Sequence, residues 1–121
     1  MAKLLVVDDD RDVIELLVYL LERQGHQIVE ARNGREGLET VIREHPDLII
    51  LDIMMPEMDG FAMNAQLMKD PSTQKIPVII LSAKGQAREA FELTANVKYF
   101  MEKPFDSKDL QDKVLEILSR N

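Results

Sequence analysis

The sequence predicts an α/β fold: a doubly wound, five-stranded parallel sheet of (βα)5 type, order 2-1-3-4-5, with helices on both faces. Three observations predict it. Short apolar runs of strand length recur along the chain, as in Leu4 to Val7, Leu48 to Leu51 and, with Pro77 near its start, Ile76 to Leu81. Between them apolar residues fall at helical spacing. Strand and helix signals alternate throughout, which implies right-handed crossovers and a parallel sheet covered on both sides.

Leu4 to Val7 is read as the first strand, followed at once by Asp8, Asp9 and Asp10. Val13, Ile14, Leu17, Leu20 and Leu21 mark the first helix, which Gly25 can end. Gln27 to Glu30 is a weak second strand. Asn33-Gly34-Arg35-Glu36 reads as an N-cap with an acidic partner three residues on. Leu38, Val41 and Ile42 stripe the second helix, and Pro46 stops it. The third strand is placed at Asp47 to Leu51, an apolar run buried on both faces, with Asp52 at its carboxyl end and a turn at Pro56 and Asp59-Gly60. Phe61, Ala65, Leu67 and Met68 mark a third helix, broken by Asp70-Pro71-Ser72-Thr73. Ile76 to Leu81 is placed as the fourth strand, with Pro77 near its start, and Ala87, Ala90, Phe91, Leu93 and Thr94 as the fourth helix. Val97 to Met101 is the fifth strand, ended by Lys103-Pro104. Asp106 caps a last helix carrying Leu110, Val114, Ile117 and Leu118.

Composition narrows the function. At 121 residues the chain is expected to be one domain, 1–121, with no output domain after the last helix. No apolar run approaches the ~20 residues of a membrane span, and the apolar run at the N-terminus is too short for a signal sequence. The absence of cysteine excludes disulfides, thiolate metal sites and cysteine nucleophiles, and fits a reducing, cytoplasmic setting. A net charge of -7 argues against direct nucleic-acid binding.

In a sheet of this order the ligand crevice opens at the carboxyl ends of the first and third strands. Asp8 and Asp9 leave the first strand there, Asp52 the third, Ser82 the fourth and Lys103 the fifth. Three carboxylates brought together repel, so one takes up a proton or a cation sits among them. Oxygen ligands without cysteine or a nearby histidine favour Mg²⁺, with Mn²⁺ as an alternative, over Zn²⁺. A divalent ion, an ammonium and a hydroxyl donor are what a transferring phosphoryl group requires, and a carboxylate in that setting can be the nucleophile.

Four motifs now carry a resemblance: Leu-Val-Val-Asp-Asp at 5–9, Leu-Asp-Ile-Met-Met-Pro-Glu-Met-Asp-Gly at 51–60, Leu-Ser-Ala at 81–83 and Lys-Pro-Phe at 103–105. Over essentially its whole length the chain resembles the response-regulator receiver domains of two-component signalling, in particular the single-domain chemotaxis type. The resemblance implies a flavodoxin-like fold and a phosphorylation-activated switch. Asp52 would be the phosphoacceptor. Asp9 would bind Mg²⁺ directly together with Asp52 and the backbone carbonyl of Met54, and Asp8 would act mainly through water. Ser82 and Lys103 would contact the phosphoryl group, with Ala83 part of the same motif, and the Lys103–Pro104 bond is expected to be cis. Phe100 would be the aromatic switch residue, and Met54 and Lys84 would tune the lifetime of the phosphate. Asp10 has no matching role and is read as a helix cap. The implied partners are a sensor histidine kinase or phosphotransfer protein and a downstream protein. The latter would read the surface of the fourth helix, fifth strand and last helix. The protein would be a monomer or a weak phosphorylation-dependent dimer, acting on its own Asp52 rather than as a turnover enzyme.

Three departures from the family pattern stand out. Asn96-Val97-Lys98-Tyr99 replaces the frequent Gly-Ala-Asp-Asp. The stretch from Ser82 to Lys103 is about one residue short, and the switch position is Phe rather than Tyr, so no hydroxyl fixes its outward rotamer. Rival readings are a haloacid-dehalogenase-type phosphatase using Asp8 and Asp10, a flavodoxin-type binding module, and a receiver that serves only for docking. The first lacks the usual Thr, position 12 being Asp, and three acids would repel the flavin phosphate of the second.

Overall fold

The computed structural model describes residues 2–83 and 95–120. Along these the elements are β1 (Lys3–Val7), α1 (Arg11–Glu22), β2 (Gln27–Ala31), α2 (Gly34–Glu44), β3 (Leu48–Asp52), α3 (Gly60–Lys69), β4 (Val78–Ala83), β5 (Val97–Lys103) and α4 (Ser107–Ser119). The helix expected over 87–94 and the residue Lys84 lie outside the described residues. The strands pair in parallel in the order β2-β1-β3-β4-β5. The fold class and strand order read from the sequence are those observed.

Each helix begins where a short polar side chain takes up a free backbone N–H. Asp10 accepts from the Asp12 amide, Asn33 from Glu36, Asp59 from Ala62 and Asp106 from Asp109. Endings are as local. His45 adopts the left-handed conformation after α2 (φ 48°), and Gly25 does so after α1 (φ 92°), where glycine meets no steric penalty.

The sheet divides the apolar side chains between two cores. On one face Leu4, Val6, Leu48, Ile50, Ile79 and Leu81 pack against Ile14, Leu17 and Leu21 of α1 and Leu110, Val114 and Ile117 of α4. On the other, Leu5, Val7, Ile49, Leu51 and Ile80 pack against Val41, Met63 and Leu67 of α2 and α3. Alternation along the strands produces this partition, and burial on both faces explains the unbroken apolar runs.

Every strand departs from the sequence reading at one end or both. β1 starts at Lys3 rather than Leu4, β2 runs to Ala31 rather than Glu30, and β4 runs on to Ala83 rather than Leu81. The other shifts have local causes. β4 starts at Val78, not Ile76, because the Ile76 amide closes a turn onto the Thr73 carbonyl (3.1 Å) and Pro77 has no N–H to give the ladder. β3 runs from Leu48 to Asp52, so Asp52 is its last residue, while the Asp47 carboxylate accepts from the Lys3 amide at 2.9 Å. β5 continues past Met101 to Lys103, because Ser82 and Ala83 of β4 pair with Glu102 and Lys103.

Candidate functional site

The site is built where the winding direction of the sheet reverses, between β1 and β3. Val7 is in register with Leu51, so the next residue of each strand, Asp8 and Asp52, leaves the core at one level. Asp52 in turn pairs with Leu81, which places Ser82 one step further along β4. One carboxylate oxygen from each of Asp8, Asp9 and Asp52 lies within 4.8 Å of the others. Asp8 is 1 % exposed and Asp52 5 %, whereas Asp9 faces solvent.

Lys103 reaches this nest from β5, about 14 Å of strand spacings away from β1. Its Nζ lies 2.9 Å from Asp8 Oδ2 and 3.2 Å from Asp52 Oδ1. The other Asp8 oxygen accepts from the Asp10 amide at 2.9 Å, so both oxygens of Asp8 are engaged by the protein. Burial first, and the neighbouring Asp8 second, push the Asp52 carboxyl up to about 6, against the pull of Lys103. For Lys103 burial works to lower the ammonium pKa, but the contacts with Asp8 and Asp52 outweigh it and hold it above the usual lysine range.

Three carboxylates and one ammonium leave a formal charge of -2 when all are ionised. Burial and the neighbouring Asp8 both disfavour the ionised Asp52 in this nest. A hard divalent cation fits the donor set: all-oxygen ligands, one of them solvent-facing, and a matching charge.

The structure places the remaining expected residues individually. Ser82 is fully buried, and among the described residues its Oγ has no hydrogen-bond partner. The Lys103–Pro104 bond is cis. Met54 follows buried Ile53 and is 61 % exposed. Phe100, paired with Ile80, packs partly buried against the α2–α3 core, while Tyr99 beside it faces the α1–α4 core. Asp10 caps α1 and lies outside the carboxylate group. Beside Lys103 a cleft of about 380 Å³ is lined by Val13, Leu16, Ala83, Pro104 and Phe105. One feature of the site had no signal in the sequence beyond a glycine at a helix start. A Cβ on Gly60 would collide with the Asp52 carbonyl oxygen, so α3 starts against the backbone of Asp52 itself.

A doubly wound domain with an acidic nest and a lysine at its switch point is thus defined by fold and geometry. Residues 4–115 match the response regulator receiver domain family. The chain is 35% identical over 120 residues to PilH of Pseudomonas aeruginosa, covering 98% of this chain and 99% of that one. It is 37% identical to the alkaline phosphatase synthesis transcriptional regulatory protein PhoP of Bacillus subtilis, covering 98% of this chain but 49% of PhoP. It spans about half the length of several other regulators it matches, among them RpaA of Synechocystis. Solved structures agree. The receiver domain of a signal transduction histidine kinase from Syntrophus aciditrophicus superposes with a TM-score of 0.89 at 36% identity, over 98% of this chain and 91% of that one. TrrA of Thermotoga maritima, in complex with Mg²⁺ and BeF, gives 0.84 at 31% identity, over 97% and 99%.

The chain belongs to the response regulator receiver domain family. It is a two-component signalling switch of the kind that receives a phosphoryl group from a histidine kinase onto an aspartate, with Mg²⁺. Among the described residues no helix is long and apolar enough to cross a membrane.

Proposed function

We propose that Asp52 is the phosphoacceptor of this receiver. The observation that carries the reading is the convergence of Asp8, Asp9 and Asp52 within 4.8 Å under the Lys103 ammonium. Asp9, Asp52 and the carbonyl of Met54 would hold Mg²⁺, or Mn²⁺ in its place. Asp8 would act mainly through water, because its two oxygens are already taken by Lys103 and the Asp10 amide. When bound, the dication supplies positive charge to the carboxylates and to the incoming phosphoryl oxygens.

An Asp52 carboxylate oxygen attacks phosphorus. The P–N bond of the donor phosphohistidine breaks, its electron pair stays on the imidazole nitrogen, and that nitrogen takes a proton from solvent. Lys103 exchanges its contact with Asp52 for the phosphoryl oxygens, and Ser82, buried and unengaged among the described residues, donates its hydroxyl to them. Movement of the Ser82 strand end toward Asp52 gives Phe100 room to turn inward, since its strand pairs with that end through Ala83 and Lys103. Water later cleaves the acyl phosphate and restores the carboxylate, with the exposed Met54 side chain shielding the approach. Lys84, assigned the same tuning role, lies outside the described residues.

The donor is a sensor histidine kinase or phosphotransfer protein, and the apolar cleft beside Lys103 offers it a seat next to Asp52. A downstream protein reads the β5 and α4 side of the molecule. The protein is a cytoplasmic monomer or a weak phosphorylation-dependent dimer, with no nucleic-acid contact of its own at a net charge of -7. It does not turn over free phosphate esters.

Incubation with Mg²⁺ and a small acyl-phosphate donor, followed by peptide mass spectrometry, tests the reading. One phosphoryl group is expected on the peptide containing Asp52, absent in Asp52→Ala and without Mg²⁺. A modified Asp8, or a signal that survives Asp52→Ala, overturns it.

A further inference from the structure

We propose that the N-terminus of α2 is a positioning element for the metal side of the site, acting through the loop that joins β3 to α3. The proposal rests on the reading that the Met54 carbonyl is a Mg²⁺ ligand. It concerns residues that carry none of the site's chemistry themselves.

The loop, residues 53–59, is fixed at its two ends by the sheet and by α3. Ile53 donates to the Leu81 carbonyl at 3.3 Å and accepts from the Gly60 amide at 2.7 Å. Its middle turns sharply. The Met58 amide donates to the Pro56 carbonyl at 2.7 Å, and Glu57 between them sits at φ 66°. A three-residue turn around a non-glycine residue at positive φ is strained, and it persists only when neighbours hold it.

The neighbours are on α2. The Gly34 amide donates to the Met58 carbonyl at 2.8 Å. A Cβ on Gly34 would stand 2.5 Å from that oxygen and 2.8 Å from Met58 Cγ, so only glycine permits this approach. Asn33 uses both ends of its amide. Oδ1 accepts from the Glu36 amide at 2.8 Å and caps α2, while Nδ2 donates to Glu57 Oε2 at 3.1 Å. Arg35 stands 3.7 Å from Glu57 Oε1, an exposed pair that contributes little alone. The helix therefore grips the loop at Glu57 and Met58, and so fixes the direction in which the Met54 carbonyl leaves the end of β3. Groups that orient a metal ligand are commonly worth an order of magnitude in metal affinity.

Mg²⁺ titration by calorimetry, with thermal melting in chelator as a parallel measure of stability, tests this on the whole chain. Gly34→Ala pushes the loop away and is expected to weaken Mg²⁺ binding about tenfold. Asn33→Ser keeps a capping oxygen and the same charge but loses the donor to Glu57, and a loss of about twofold to threefold is expected. Gly37→Ala is the discriminating control. Its Cβ would meet Met63 Sδ at 2.8 Å, the far end of a flexible side chain, and Val7 Cγ1 at 3.3 Å, so it crowds the same helix without touching Met58. It is expected to leave Mg²⁺ affinity unchanged, with at most a small change in melting temperature. Unchanged affinity in both Gly34→Ala and Asn33→Ser overturns the proposal, as does an equal loss in all three variants. Should Gly34→Ala not fold, Asn33→Ser and Gly37→Ala decide the matter. Failure of the wild-type chain to bind Mg²⁺, or binding that survives Asp9→Asn, strikes the metal assignment itself and is a distinguishable result.

Discussion

Asp52 is held in conflict with its surroundings. An acid whose folded pKa lies near 6, against an ordinary value of 3.8, binds its proton more tightly folded than unfolded. The native state is then the better proton binder between those pH values, and stability falls as pH rises through that window. The deficit at neutral pH is of the order of 3 kcal/mol at most, from about two pKa units. Asp52→Asn removes the charge and keeps the shape. In chelator at pH 7.5 it is expected to melt higher than wild type. The advantage should shrink as pH falls from 6 toward 4, where the folded wild-type carboxyl takes up its proton, and vanish below 3.8, where the unfolded one does too. Equal melting at pH 7.5 would show that Lys103 alone satisfies the carboxylate. The three site acids and Lys103 were legible because strand ends could be counted along the chain. The division of labour between Asp8 and Asp9 came only with the family resemblance, and the engagement of both Asp8 oxygens by Lys103 and the Asp10 amide was not legible.

At the level of elements, the join between α3 and β5 runs through a buried amide pair. Asn96 Nδ2 donates to Asn64 Oδ1 at 2.6 Å, both residues are 3 % exposed, and Asn96 Oδ1 has no partner among the described residues. The two halves of this pair are unequal. Asn96→Ala loses one hydrogen bond but also removes an unsatisfied acceptor, and about 1 kcal/mol of destabilisation is expected. Asn64→Ala strands a buried amide with neither end paired, and about 2–3 kcal/mol is expected. Denaturant melts of the two variants check the order, and a larger loss for Asn96→Ala contradicts it. The sequence singled out Asn96 only as a departure from the family's usual Gly-Ala-Asp-Asp, and nothing pointed to its partner 32 residues away. Element order was readable because helix and strand periods differ and alternate. Boundaries slipped where one residue type overrode the pattern: Pro77 delayed β4, and pairing with Ser82 and Ala83 prolonged β5.

For the whole molecule, the two cores make the sheet a rigid frame, and the site sits where the frame ends. β1 and β3 are buried along their length, while their carboxyl ends emit the charges. The grip of α2 on the 53–59 loop belongs to this scale too. It joins segments 24 residues apart whose spacing follows no period, which is why the pattern of the sequence could not reveal it. What unites the molecule is the claim that Asp8, Asp9, Asp52 and Lys103 form one phosphoryl-accepting centre. A crystal structure of the chain grown with Mg²⁺ and beryllofluoride, which mimics a phosphoryl group on a carboxylate, tests it most directly. The expected result is beryllium on an Asp52 oxygen, fluorines contacting Lys103 Nζ and Ser82 Oγ, and Mg²⁺ on Asp9, Asp52 and the Met54 carbonyl. Beryllofluoride on Asp8 or Asp10, or a metal bound away from Asp9 and Asp52, would contradict it.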